Sequence, residues 1–229
     1  MTALLLETAT ELCSVALVRG QEIIGERMAD GPHQHASKLN VFIDELLREA
    51  QLEAGALTHL GLSEGPGSYT SLRVGAAMAK GLCIALPGLS LYPLSSLRAL
   101  GRYAFQSGAR AVIATQESRR DEVYALLMET AEDYFSAARA LPISDPAFTD
   151  FCSRHPQLTI IGTGTEKLAA EIARPEDTLL PQVGSKARLL QPELQRVLDA
   201  GIRPVDIASF EPLYLKPPFV TVPKKRSLL

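Results

Sequence analysis

The loop Gly65-Pro66-Gly67-Ser68-Tyr69-Thr70 constrains this chain more than any other segment. It follows the short apolar run Leu60-Gly61-Leu62-Ser63 and precedes an unbroken run from Ser71 to Ala85. The order reads as strand, tight turn, helix. Two glycines and one proline punctuate the turn. Ser68 or Thr70 is placed to cap the new helix by accepting a hydrogen bond from a free backbone N–H. The helix then carries Gly75, Ala76, Ala77, Ala79 and Gly81. So many small side chains imply that another backbone comes very close.

The same alternation of short apolar runs and helical patterns extends along the chain. Thr2 to Thr8, Cys13 to Val18 and Gln21 to Met28 form a three-strand meander with a hairpin turn at Arg19-Gly20. Their polar–apolar alternation is imperfect, which fits a sheet covered on both faces. His35 to Glu53 reads as an amphipathic helix, with Leu39, Phe42, Ile43, Leu46, Leu47 and Ala50 at helical spacing. Leu57 to Ser63 is a fourth strand. Leu89 to Tyr92 is a short fifth strand, broken by Pro93, and Ser95 opens a helix to about Phe105.

The pattern then restarts. Ala109 to Thr115 and Glu122 to Glu129 are strands, and Tyr134 to Leu141 is a further strand or extended edge. Asp145 to Ser153 looks helical, with its start restricted by Pro146. Leu158 to Ile161 is a strand ending in Gly162-Thr163-Gly164. Thr165 to Ala173 and Gln191 to Ala200 are helices, the second ended by Gly201. Phe210 to Leu215 is an extended terminal segment. Two units of strand-strand-strand-helix character thus meet near Gly101 to Gly108. A length of 229 residues accommodates two such units, and 46% hydrophobic residues suffice for their cores. The expected architecture is a duplicated α/β fold with a degenerate second half.

Charge and cysteine content narrow the function. A net charge of −3 does not advertise nucleic-acid binding over the whole surface. The basic run Lys224-Lys225-Arg226 reads as a solvated tail, so any work on RNA runs through a partner. Three cysteines in a chain this long are not a disulfide framework. Cys13 and Cys83 read as buried thiols, and Cys152 beside His155 makes a poor metal site. Neither a membrane span nor a signal peptide is recognised, so a cytoplasmic location is expected.

The motifs of common chemistries fail one by one. A P-loop needs a lysine that Gly65-Pro66-Gly67-Ser68-Tyr69-Thr70-Ser71 lacks. A dinucleotide fingerprint fails at its third glycine, where Thr70 stands. An anion at the helix N-terminus remains open, against a purely structural turn. Glu7 ends the first strand, where actin-like ATPases place an acidic residue, but Thr8-Ala9-Thr10 has no glycine for a phosphate. Glu7 is as well suited to receive backbone N–H groups. His33 and His35 stand two apart with no glutamate between them, which excludes a His-Glu-x-x-His site. His35 reads as a helix cap or surface contact. Ser68 lies in no nucleophile elbow. Arg119-Arg120-Asp121-Glu122 is a charge run at a turn, either solvated or part of a lock between domains. A fold associated with nucleotide chemistry and few groups to perform it points to a scaffold.

At this point the chain resembles the TsaB/YeaZ family. Leu6-Glu7-Thr8-Ala9-Thr10 is similar to its opening motif, and Gly65 to Gly75 to its signature Gly-Pro-Gly-Ser-Phe-Thr-Gly-Leu-Arg-Ile-Gly. Ala79-Lys80-Gly81-Leu82, Glu117 to Tyr124 and Pro212-Leu213-Tyr214-Leu215-Lys216 resemble later stretches in the right order. His35-Ala36-Ser37 matches loosely. Glu7, Tyr69, Ser71 and Lys216 depart from the family's aspartate, phenylalanine, glycine and arginine.

The resemblance implies a two-lobed actin-like ATPase fold, ribonuclease-H-like, with a degenerate second lobe. The N-terminal lobe would span 1–104, completed by 205–229, and the second 105–204. It implies a non-catalytic subunit of the machinery that transfers threonylcarbamoyl to N6 of adenosine 37 in tRNAs reading ANN codons. No catalytic residue, cofactor or metal is expected. The catalytic paralogue TsaD would be the direct partner, the ATPase TsaE would dock on the pair, and the chain alone would form a homodimer. Contact with tRNA would be indirect. His35, Leu39, Phe42, Arg73, Ala76, Ala77 and Lys80 are the candidate interface residues. Gly65, Pro66, Gly67, Ser68 and Thr70 form the structural loop. The alternatives are an active actin-like ATPase or kinase, a peptidase, and an unrelated protein-interaction module.

Overall fold

The computed structural model describes residues 1–29, 31, 34–132 and 136–217. His33 and the run Lys224-Lys225-Arg226 lie outside the described residues, as do the end of the expected 205–229 segment and the start of the expected strand at 134.

The first sheet contains β1 (Thr2–Glu7), β2 (Cys13–Arg19), β3 (Glu22–Ala29), β4 (His59–Gly65) and β5 (Ser90–Ser95), in the order β3-β2-β1-β4-β5. β1 to β3 form the antiparallel meander, turned at Gly20 with φ +64°. β4 and β5 join in parallel on the other side of β1. α1 (His35–Glu49) and α2 (Tyr69–Ala85) cover one face. Leu4, Leu6, Val15 and Leu17 pack there with Leu39, Phe42, Leu46 and Ala79. Ala3, Leu5, Ala16 and Val18 are buried on the opposite face. Burial on both faces is why these strands read as nearly continuous apolar runs.

The second sheet contains β6 (Val112–Glu117), β7 (Glu122–Met128), β8 (Arg139–Pro142), β9 (Thr159–Ile161) and β10 (Thr178–Leu180). Its order is β10-β9-β6-β7-β8, with β6 to β8 antiparallel and β9 and β10 parallel to β6. This repeats the first sheet strand for strand. α4 (Pro146–Arg154) and α5 (Thr165–Ile172) cover it through Phe148, Phe151 and Leu168. α4 starts as a helix should: the Ala147 amide donates to Asp145 Oδ1 at 2.9 Å, and Pro146 occupies the first turn.

The remaining helices each reach the other unit's sheet. α3 (Ser96–Gln106) lays Leu97, Leu100 and Ala104 on Val112, Ala114, Leu126 and Met128 of the second sheet. A short 3₁₀ turn at Ala187–Leu190 and α6 (Gln191–Asp199) lay Ala187, Leu190, Leu194 and Val197 on the first. Where α3 and α6 meet, the buried Glu193 carboxylate lies 2.7 Å from Arg196, 3.5 Å from Arg102 and 3.9 Å from Arg98. Neither unit's inner face is covered by its own segment alone.

Several expectations need correction. Pro93 does not break the fifth strand: it pairs with Leu62 inside β5. β5 is an edge strand, where a missing N–H costs no ladder bond. The first helix ends at Glu49 rather than Glu53, and a 3₁₀ turn at Ala54–Ala56 follows. β10 and the turn at Ala187–Leu190 were not expected, because three or four residues carry too little periodicity to register. Phe210 to Leu215 forms neither helix nor strand and belongs to neither sheet.

Candidate functional site

β4 delivers Gly65 at φ +109°, a conformation that favours glycine, and the Gly65–Pro66 peptide is cis. Gly67 follows, and a Cβ there would stand 2.0 Å from the Ala9 carbonyl oxygen. The β1–β2 loop therefore sits directly on the glycine turn. The Ser68 amide donates to that Ala9 oxygen at 2.8 Å. Ser68 Oγ accepts from the Ser71 amide at 3.4 Å and caps α2. Of the two candidate caps, Ser68 takes the role, and Thr70 is exposed in the first turn. The amides of Ser68 and Ser71 at this helix start are thus engaged within the chain.

Glu7, at the end of β1, is completely buried beneath this seal. Its Oε1 accepts from the Ala9 amide at 2.7 Å and its Oε2 from Ser96 Oγ at 2.7 Å. Burial pushes the carboxyl above its ordinary range, against the hydrogen bonds that favour its charge. The same enclosure raises the Cys13 thiol to about 11, with Glu7 adding to the effect of burial. The sequence left open whether Glu7 fills the acidic position of an actin-like ATPase or receives backbone N–H groups, and the structure shows it accepting from the Ala9 amide and the Ser96 hydroxyl. Ser96 could not be found as its partner from the sequence, because it lies on α3, far along the chain.

The second unit repeats the turn. Gly162 follows β9 at φ +110°, and its Cβ would lie 1.9 Å from the Thr115 carbonyl oxygen. Glu117 ends β6 as Glu7 ends β1, but it points to the opposite face of its sheet, toward Lys167 of α5 at 3.8 Å, and its side chain is 65% exposed. The sequence shows Gly162-Thr163-Gly164 at a strand end, yet the short β9 hides its kinship to Gly65-Pro66-Gly67.

Between the two turns lies a cleft of about 1030 Å³. Glu11, Glu117, Arg119, Lys186 and Lys216 bring both signs of charge to its walls. Among the described residues no group of three or more His, Cys, Asp or Glu side chains could hold a metal ion. No helix among them is long and apolar enough to cross a membrane.

The candidate interface residues separate into two sets. His35, Leu39, Phe42 and Ala76 are buried in the chain's own core. Leu39, Phe42 and Ala76 pack in the core that covers the first sheet. His35 is neither a cap nor a surface contact: burial lowers its pKa, against hydrogen bonding to the backbone of Thr10 and Leu12. Gly75, Ala76 and Ala79 are small for internal reasons, since a Cβ on Gly75 would stand 2.3 Å from Thr8 Oγ1. Arg73 and Ala77 are exposed, and the half-buried Lys80 donates to the Ala208 carbonyl at 3.4 Å. The Arg73 guanidinium lies 4.2 Å from the Tyr69 ring centre. With Gly81 and Ile84, Ala77 completes an exposed line along α2. Ile84 is 72% exposed, and a Cβ on Gly81 would meet nothing within 4 Å. Ile84 and Gly81 could have been found by extending the Ala77 spacing by one helical turn at a time.

Two sheets of identical order, joined by exchanged helices around a cleft, define the two-lobed actin-like class. The family model described as TsaD, tRNA N6-adenosine threonylcarbamoyltransferase, matches residues 29–155, more than half of the chain. The TsaB threonylcarbamoyladenosine biosynthesis protein of Haemophilus influenzae is 37% identical over 126 residues, 54% of this chain and 52% of that protein. TsaB of Escherichia coli is 30% identical over 125 residues, 54% of this chain and 53% of that protein. The alignments span about half the length of these curated relatives. The solved structure of YeaZ from Pseudomonas aeruginosa superposes with a TM-score of 0.77 at 26% identity, covering 93% of this chain and 99% of that one. The chain belongs to the TsaB/YeaZ family.

Proposed function

We propose that this chain is a non-catalytic scaffold in the synthesis of threonylcarbamoyladenosine in tRNA. In this reading it holds TsaD in a competent state for transfer of threonylcarbamoyl to N6 of adenosine 37 in tRNAs reading ANN codons. TsaE docks on the pair, tRNA contact is indirect, and the chain alone pairs with itself. The observation that carries the scaffold reading is the sealed turn. Glu7 is enclosed by Ala9 and Ser96, and the Ala9 carbonyl packs on Gly67, so the carboxylate does not line the cleft that Gly67 to Thr70 border.

The docking face in this reading is the exposed side of α2, Arg73, Ala77, Gly81 and Ile84. The small side chains of Ala77 and Gly81 let a partner helix approach closely, with Ile84 as its apolar anchor. The lobe limits of 1–104, completed by 205–229, and 105–204 belong to the same proposal.

Purified tRNA is incubated with TsaC, TsaD, TsaE, threonine, bicarbonate and ATP, with and without this protein. Modification that depends on it is expected. Gly81→Arg adds a long charged side chain into open space, so the variant is expected to fold, lose co-elution with TsaD and lose stimulation. Equal modification with and without the protein would return the unrelated interaction module to first place.

A further inference from the structure

The terminal segment runs back along the first lobe and then crosses to the second. The Val205 amide donates to the Leu91 carbonyl at 3.0 Å, and Phe210 is buried in the core beneath α1 and α2. The Leu213 amide donates to the Glu64 carbonyl at 2.7 Å, just before the glycine turn. The Leu213 carbonyl lies over Gly65, 3.1 Å from where a Cβ would stand. The Tyr214 ring lies 4.8 Å from that of Tyr69. These anchors all belong to the first lobe.

The next residues hold the second lobe. Lys216 Nζ pairs with the Glu122 carboxylate at the start of β7. Arg119 Nη2, on the β6–β7 turn, donates to the Pro217 carbonyl at 3.1 Å. The charge run singled out in the sequence is therefore where the tail attaches. Leu213 to Pro217 also line the cleft. Five residues can span at most about 17 Å, so a taut link here limits how far the lobes part.

We propose that Leu213 to Pro217 form a strap that closes the interlobe cleft and fixes the angle between the lobes. The α3–α6 crossing is the hinge, and the strap is the latch. Releasing the strap widens the cleft without unfolding either lobe. This inference does not depend on the proposed role in tRNA modification.

The test uses the full chain with spin labels on cysteines at Lys38→Cys in α1 and Ala170→Cys in α5, both exposed positions. The native cysteines are buried. Double electron–electron resonance on the otherwise unaltered protein should give one narrow distance distribution. Leu213→Pro with Lys216→Glu removes one anchor from each lobe, and should broaden the distribution and add longer distances. In Lys216→Glu alone, exchange of the Leu213 amide should accelerate at least about tenfold. Adding Glu122→Lys to Lys216→Glu reverses the pair, and should restore both readouts. Unchanged exchange of the β1 amides shows that the first lobe stays folded. If the double variant does not fold, Lys216→Glu and its Glu122→Lys partner decide the matter by the same two readouts. An unchanged distribution together with unchanged Leu213 exchange overturns the proposal, as does a loss that Glu122→Lys leaves unrepaired.

Discussion

Gly65 and Gly162 occupy the same place in two sheets of the same order, yet the carboxylates at the ends of the first strands meet opposite surroundings. Glu7 leaves its sheet toward α3, where Ser96 meets it, and is sealed in, whereas Glu117 leaves its sheet on the other face, toward Lys167 of α5 at 3.8 Å, and its side chain is 65% exposed. The covering helices differ as well. α1 and α2 have 15 and 17 residues, against nine and eight for α4 and α5. β9 and β10 have three residues each, about half the length of β4 and β5. The difference teaches that a short sheet and a glycine turn are enough to build a lobe of this kind. The added length in the first lobe includes an exposed helix side that core packing does not use.

The strongest challenge to this equivalence is to place a side chain at both turns. Gly67→Val and Gly162→Ala each drive a carbon into a carbonyl oxygen, at 2.0 and 1.9 Å. Each is expected to destabilise the fold by about 3 kcal/mol or more in urea unfolding. A tolerated Gly162→Ala would show that the second turn is looser and break the comparison.

Next in size are the two carboxylates. Glu7→Ala leaves the Ala9 amide and the Ser96 hydroxyl without their buried acceptor, at a cost of about 2–4 kcal/mol. Glu117→Ala is expected to fall within about 0.5 kcal/mol of the parent. Equal losses in urea melts would mean that Glu117 is as structural as Glu7.

The lobes should also respond to pH with opposite signs. Burial raises the native pKa of Glu7, so the folded state binds its proton more tightly than the unfolded chain. Its contribution is complete below the unfolded value of about 4.3 and shrinks as pH rises towards the native one. In the second lobe, burial alone would raise the Asp177 carboxyl. Hydrogen bonds from the Arg174 side chain and the Arg174 and Leu158 amides outweigh it and hold the carboxyl below its usual range. Asp177 therefore adds stability above about pH 3.9, and loses it as pH falls through its native pKa. Urea midpoints across pH 3 to 8 for the parent, Glu7→Gln and Asp177→Asn should show the two differences running in opposite directions. Parallel curves would contradict the assignment.

The smallest effect concerns the unused helix side. Gly81→Ala fills open space on α2 and is expected to gain about 0.5–1 kcal/mol in thermal or urea unfolding. A loss instead would mean that the position is already packed in the isolated chain.

Most strands and helices were legible from local patterns. The meander, Ser95 as a helix opener and the Gly201 stop all follow from periodicity or turn chemistry. Pro93 was misread because nothing local to a proline says whether its strand lies at an edge. Which of the candidate interface residues are buried and which exposed was legible only in part. Ala76 and Ala77 are alike as residues, but one helical step apart they face the core and the solvent. Leu39 and Phe42 fitted an apolar helix face, and that face is the one the first sheet takes.

By itself the sequence determined the succession of elements and the need for a tight turn at Gly65 to Ser68, because spacing, capping and backbone freedom act over a few residues. Only the tertiary structure decided that Ala9 closes on Gly67, that α3 and α6 serve each other's sheets, and that Lys216 reaches Glu122. Those outcomes depend on distances between segments far apart in the chain, which no local pattern encodes.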